Sequence, residues 1–324
     1  MKLHEKPNEF KQLVQNASEY FEIREVFIEK DYWVTYVLKN LSNSKHKDKV
    51  IFKGGTSLSK VHKSIRRFSE DVDLAYVDVN KRRCQDVFSK IDKSIMLSPL
   101  AYEKNDEEKK GPPKFRKTYY SYPRIIENSN FGHATDKLIL EINSFTKPEP
   151  AVWTSVDSYI AEYLKTKEML KEIEEFELGS FEIQVLDKEK TLAEKLCGLA
   201  KYTCDPSDLD FATLKEKIRH VYDVSKLLDD EELKAKVQLE GFIKHVRTTR
   251  SEDRENFMGE SWVDKKFSES KIFNDTDNVM SKVKNYYNTN FADLLYGSET
   301  LPDIEYVGTQ IKEIYKILKK TEEA

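Results

Sequence analysis

The sequence predicts an α/β N-terminal half followed by a mainly helical C-terminal half, and three observations carry that prediction. Short apolar runs bounded by turn residues recur between residues 50 and 145, which is strand patterning. Apolar residues at helical spacing precede and separate those runs. Beyond Pro148 and Pro150 the pattern turns mostly helical, so the two prolines mark the expected boundary between a domain of residues 1–150 and one of residues 151–324.

Phe10, Leu13, Val14, Ala17 and Phe21 share one helical face over residues 8–21, and a second helix covers residues 28–41 until the polar SNSKHKDK ends it. Val50-Ile51-Phe52 reads as a short buried strand, broken by Lys53-Gly54-Gly55-Thr56 into a turn, with a helix over residues 57–62. DVDLAYVDV, residues 71–79, is the next strand by its β-branched content and alternation. Cys84, Val87, Phe88, Ile91 and Ile95 fall at i, i+3, i+4, i+7 and i+11, an amphipathic helix for packing on a sheet. The charged run at 103–113 reads as an exposed loop, and residues 115–125 and 137–145 as further strands. Helices are expected over 161–176, over 188–202 and around 218–228; FEIQVL, residues 181–186, is the strand-like exception.

The 324 residues suffice for one large domain or two ordinary ones. Hydrophobic residues make up 39% and charged residues 35%, a core beneath a heavily charged surface, and 17 Phe, 17 Tyr and 3 Trp exclude a disordered chain. No apolar run approaches the ~20 residues that span a bilayer, and MKLHEKPNEF lacks the apolar stretch of a signal peptide. Cys84, Cys197 and Cys204 form no metal-type pair, so a reduced cytoplasm is the expected location. A net charge of −4 argues against a protein that coats nucleic acid, though not against an enzyme that touches RNA through a local basic patch.

The chemistry concentrates in FKGGTSLSKVHKSIRRFSEDVDLAY, residues 52–76. Glycines let a backbone approach a ligand closely, and a helix N-terminus offers N–H groups to phosphate oxygens, so Gly54-Gly55-Thr56 opening a helix is a phosphate cradle. Side chains on a strand alternate, so Asp71 and Asp73 share a face while Val72 and Leu74 take the other. Two adjacent carboxylates repel unless a cation lies between them. Mg²⁺ prefers oxygen ligands and is commonly held by one or two carboxylates plus substrate phosphates. Cradle and carboxylates together are the equipment of phosphoryl-group chemistry, including its two-metal form. Lys195 adds a second signal. With Leu192, Leu196 and Leu199 it lies on a core-facing helical stripe, where a lysine snorkels, forms a salt bridge, or meets a triphosphate or carboxylate cluster. Arg219 and Asp223, at i and i+4, share a helix face and could form a simple surface pair. His62, His133 and His220 show no metal spacing, and Trp262 is expected in the core, with stacking on a base as the alternative.

Residues 52–76 resemble motif I of the DNA polymerase β-like nucleotidyltransferases. More narrowly they are similar to the AbiEii/AbiGii toxin family, through Gly54, Gly55, Thr56, Leu58, Arg67, Phe68, Ser69, Asp71 and Asp73. Glu29, Lys30 and Asp31 resemble that family's N-terminal helix. Lys114, Thr118 and Tyr119 resemble its second motif, Thr191 to Leu196 its third, and Arg219, Tyr222, Asp223 and Val224 its fourth, where His220 replaces an Asp. The resemblance covers residues 25–230. It implies a nucleotidyltransferase core with a mixed, antiparallel-rich sheet, and a helical C-terminal domain that completes the cleft. It implies Mg²⁺ as cofactor, held by Asp71, Asp73 and Glu141, the last a carboxylate in the otherwise apolar strand LILEINSF, with Lys195 and Asp223 also catalytic. The nucleoside triphosphate would be bound by Gly54, Gly55, Thr56, Arg67, Ser69, Lys114, Lys195 and Arg219. It further implies the toxin half of a type IV toxin–antitoxin or abortive-infection system. The tRNA 3′ end is the leading acceptor, and a cognate antitoxin need not bind directly. A tRNA-modifying enzyme should show a basic surface, drawn from Lys109, Lys110, Lys114, Arg116, Lys117, Arg66 and Arg67. The alternatives are a small-molecule or protein acceptor, or an NTP-binding module without catalysis.

Overall fold

The computed structural model describes residues 2–69, 71–77, 84–104, 114–127, 135–291 and 294–322. Residues 105–113 of the charged run, with Lys109 and Lys110, and also His133, lie outside these.

Among the described residues seven strands form one mixed sheet: β1 (Val50–Lys53), β2 (Asp71–Tyr76), β3 (Ala101–Glu103), β4 (Phe115–Ser121), β5 (Leu138–Asn143), β6 (Ala151–Val156) and β7 (Phe181–Leu186). Their order is β3-β4-β5-β2-β1-β7-β6. The β1–β2, β3–β4 and β4–β5 pairs are antiparallel, and the β2–β5 and β1–β7 pairs parallel. Helices α1 (Pro7–Phe21), α2 (Glu25–Ser42), α3 (Gly54–Lys60), α4 (Cys84–Ile95), α5 (Tyr159–Thr166) and α6 (Leu170–Glu175) accompany the sheet. Further α-helices are α7 (Lys188–Tyr202), α8 (Ala212–Glu216), α9 (Arg219–Asp229), α10 (Glu231–Lys236), α11 (Glu240–Asn256), α12 (Lys271–Asn274), α13 (Thr276–Asn290) and α14 (Ile304–Leu318). The α/β half and the helical C-terminal region predicted from the sequence are both present.

The chain divides into two compact units, one of residues 1–144, 151–185 and 296–299, the other of residues 145–150, 186–295 and 300–324. The sheet therefore continues past Pro150 through β6 and β7, where the sequence shows a proline boundary. β6 ends the strand order and leaves Val152 and Trp153 exposed, so it carries no burial alternation by which to recognise it. The helix expected over 161–176 breaks at Lys167–Met169, where Glu168 takes a left-handed φ of 57°. No glycine or proline signals that break.

α2 is buried on nearly every side, and Glu29, Lys30 and Asp31 are buried with it. Each meets a partner from a distant segment, which is how a charged side chain persists in a core. Lys30 Nζ donates to the Thr135 carbonyl at 2.5 Å, and Glu29 Oε1 accepts from the Ile125 N–H at 2.6 Å. Glu29 Oε2 is buried without a hydrogen-bond partner among the described residues. Burial pushes the Glu29 carboxyl up to about 6, against the opposing pull of the Ile125 and Ile126 N–H groups and Arg124. A raised carboxyl pKa means the folded state favours the protonated form. That stability is fully present below the unfolded value, near 4.5, and is lost as pH rises through about 6. The shift corresponds to about 2 kcal/mol. Glu29→Gln is expected to flatten the change in Tm between pH 4.5 and 6.5 and to raise Tm at pH 7.5 by about 4–8 °C. Thermal melts at both pH values check this, and parallel wild-type and variant curves would refute it.

Candidate functional site

β1 runs out of the sheet at Lys53 directly into α3, whose first residue is Gly54. The helix begins three residues earlier than the sequence pattern suggests, so Gly54, Gly55 and Thr56 form its first turn. Gly54 has a left-handed φ of +81°, a conformation that costs any other residue. A Cβ there would lie 2.1 Å from Asp73 Oδ2, so the α3 backbone lies against the Asp73 carboxylate. At Gly55 a Cβ would come within 2.5 Å of Arg67 Nη2 and 2.9 Å of Ser69 Oγ. Both glycines are therefore required by close approach.

The turn is bonded to the segment leading into β2. Thr56 Oγ1 lies 3.0 Å from Ser69 Oγ and donates to the Asp71 carbonyl at 2.6 Å. Ser57 Oγ donates to the Gly54 carbonyl at 2.9 Å. Arg67 is 3% exposed, and its Nη1 donates to the Phe68 carbonyl at 3.0 Å. Gly54, Gly55, Thr56, Arg67, Ser69, Asp71 and Asp73 thus belong to one small neighbourhood at the β1–α3 and β2 ends.

Register supplies the rest. In β2, Val72 and Leu74 are fully buried while Asp71 and Asp73 are half-buried, the predicted alternation. β5 pairs with β2 so that Glu141 stands opposite Asp73 and Ile139 opposite Asp71. Residues opposite one another on neighbouring strands share a face, so Asp71, Asp73 and Glu141 face the same way. β4 then sets Lys117 opposite Glu141, and Lys117 Nζ lies 2.9 Å from Glu141 Oε1. Partial burial acts to lower the Lys117 pKa, but the Glu141 carboxylate, with Tyr119 and Asp71, outweighs it and the net shift is upward.

Asp71 and Asp73 are hard oxygen donors on one face beside a glycine turn, a set that suits Mg²⁺ shared with substrate phosphates. Among the described residues no group of three or more ligating side chains is gathered as the chain stands, and Glu141 is turned to Lys117. The donors therefore fit a divalent cation held by the two aspartates and completed by a phosphate.

Other predicted residues have different surroundings. Lys114 immediately precedes β4, and its carbonyl accepts from the Ser144 N–H at 3.0 Å. Arg116 does not join a basic surface with Lys117. Strand alternation turns it to the opposite face, where its Nη2 lies 2.7 Å from Asp92 Oδ2 of α4. In the helical unit Lys195 Nζ lies 2.7 Å from Asp223 Oδ2, a buried pair linking α7 to α9. That pair answers the buried lysine read from the sequence, and it turns Asp223 toward Lys195. Arg219 is the first residue of α9, and His220 packs edge-on against Tyr202. Trp262 is half-buried rather than in the core, with Lys201 Nζ 4.2 Å from its ring centroid. Cys84, Cys197 and Cys204 are all buried, and none of them is in a disulfide.

Two features escape the sequence. Lys117 is visible there only as one basic residue among several, because its place beside Glu141 depends on which strand pairs with β5. Lys60, at the far end of α3, forms a buried 2.5 Å ion pair with Asp31 of α2, and Asp31 Oδ2 also accepts from the Tyr159 N–H at 2.9 Å. Charged residues at helical spacing gave no signal for a contact between separate helices.

A strand–turn–helix that presses Gly54 against Asp73, with a second carboxylate strand in register, is the arrangement expected of a nucleotidyltransferase. Within that class the chain belongs to the family of the nucleotidyl transferase AbiEii toxin of type IV toxin–antitoxin systems, whose family model matches residues 36–309. The match runs well beyond residue 230, where the recognisable motifs end, and begins after Glu29, Lys30 and Asp31. The fold is similar to that of MenT4, a nucleotidyltransferase toxin from Mycobacterium tuberculosis H37Rv, with a TM-score of 0.59 at 14% identity over 95% of this chain and 89% of that one. At that identity the likeness is one of fold. No curated protein matches the sequence. Among the described residues no helix is long and apolar enough to cross a membrane.

Proposed function

We propose that this toxin transfers a nucleoside monophosphate from an NTP to the 3′ end of tRNA, with Mg²⁺ as cofactor. The observation that carries the reading is the placement of Asp71, Asp73 and Glu141 on one face, with the Gly54-Gly55-Thr56 turn against Asp73. The N–H groups of the first turn of α3 bind triphosphate oxygens, which a helix N-terminus favours. The buried Arg67 beside Gly55 adds fixed positive charge next to that turn. Asp71 and Asp73 would hold Mg²⁺, which supplies Lewis-acid stabilisation of the phosphates and lowers the pKa of an attacking hydroxyl. The acceptor hydroxyl attacks the α-phosphorus, a new P–O bond forms, and the α–β phosphoanhydride breaks to release pyrophosphate. Glu141, once parted from Lys117, would accept the hydroxyl proton. The resemblance to a family with tRNA-modifying members supports tRNA as acceptor.

Incubation of the protein with Mg²⁺, each α-³²P-NTP and total tRNA tests this, beside a reaction without tRNA and the Asp71→Asn/Asp73→Asn double variant. Label on tRNA that vanishes with the double variant is the expected result. Label on the protein or on a small molecule instead would keep the transferase and refute the tRNA acceptor. Bound NTP with no transfer would point to a binding module.

A further inference from the structure

We infer that Lys117 is a resident counter-cation that keeps the carboxylate face closed to divalent metal until a nucleoside triphosphate draws its ammonium away; the inference rests on the transfer reading above. The pairings Lys53↔Asp73, Asp73↔Glu141 and Glu141↔Lys117 set four charged residues in one row across β1, β2, β5 and β4. Paired residues on adjacent strands project to one face. Two carboxylates therefore stand side by side between two lysines.

Neighbouring carboxylates repel when no cation offsets them. Lys117 provides that offset from the β4 side, with its Nζ 2.9 Å from Glu141 Oε1. The same carboxylate would otherwise be available to a metal held by Asp71 and Asp73. An ammonium and a divalent cation competing for one carboxylate repel each other, so each excludes the other. The competition is reversible because the pair is open to water: the side chains of Lys117 and Glu141 are 35% and 25% exposed, and an ion pair so exposed is weak. Lysine also carries its charge on a flexible stem, which lets the ammonium move between partners without moving the strand. A triphosphate on the neighbouring helix turn offers it a more highly charged partner. Metal and nucleotide then enter together, and the metal is not retained by the resting protein.

The test is Mn²⁺ binding to the full-length, nucleotide-free protein, followed by loss of the free-ion EPR signal. Lys117→Met and Lys117→Gln are expected to bind Mn²⁺ about tenfold or more tightly than wild type, and Lys117→Arg about as wild type. Adding Glu141→Gln to Lys117→Met is expected to abolish the gain. Circular dichroism melts establish that each variant is folded. Folded Lys117→Met and Lys117→Gln that bind Mn²⁺ no more tightly than wild type would overturn the inference. Because this comparison uses no NTP, it stays separate from the transfer reading. A wild type that transfers nothing with NTP and metal removes that reading, whereas the Mn²⁺ titration alone decides the role of Lys117.

Discussion

Asp73→Asn is expected to lower nucleotidyl transfer by about three orders of magnitude, equivalent to about 4 kcal/mol of barrier, while leaving the fold intact. Asp73 is the carboxylate on which the local geometry converges. It lies between Lys53 and Glu141 in the strand register, and its Oδ2 lies where a side chain on Gly54 would begin. The amide keeps the shape of the side chain and removes its charge, so a cation held as proposed would lose one of its two carboxylate ligands. Gly54→Ala approaches the same carboxylate from the other side. The added Cβ meets Oδ2 at 2.1 Å, and alanine at a φ of +81° costs a further ~1–2 kcal/mol. Both variants should show unchanged circular dichroism and no measurable incorporation of label in the tRNA assay. Transfer by either at more than a tenth of the wild-type rate would mean that Asp73 is not at the reacting centre.

Asp31→Ala is expected to destabilise the sheet-bearing unit by about 3–5 kcal/mol, the cost of leaving a buried charge without its partner. The Lys60 side chain is 4% exposed and its ammonium lies 2.5 Å from Asp31 Oδ1. Burial already depresses the Lys60 pKa, and Asp31 provides the principal opposing pull. The substitution also removes the acceptor of the Tyr159 N–H at the start of α5. At about 2–4 °C per kcal/mol, Tm should fall by about 10 °C. The double variant Asp31→Leu/Lys60→Met removes both charges together and should recover most of that loss. A single variant that melts within 2 °C of wild type would show that the pair is not buried as described.

What the sequence reveals and what it conceals follow from physical range. The β1–α3–β2 segment is legible because its signals are local: a strand followed by two glycines, then aspartates two residues apart on a strand. Glu141 is legible because a single carboxylate interrupts an apolar strand. Lys117, Arg116 and Asp31 are not, because their partners are chosen by pairings that no short window contains. Lys117 and Arg116 are adjacent in sequence and of like charge, yet alternation sends one to Glu141 and the other to Asp92. β6 is concealed for a different reason. At the end of the strand order, with Val152 and Trp153 exposed, it lacks the burial contrast that marks a strand.

The close approach at Gly54 has a consequence for heredity. Almost every base change at the first two positions of a glycine codon replaces the residue, the exception being the one that makes a stop codon, and any replacement puts carbon where the Asp73 carboxylate already stands. If Asp73 acts as proposed, one nucleotide change there is expected to silence the toxin without a frameshift, a stop codon or loss of the protein. A cell line carrying such an allele would still make a full-length product, harmless to its host and visible only in its chemistry.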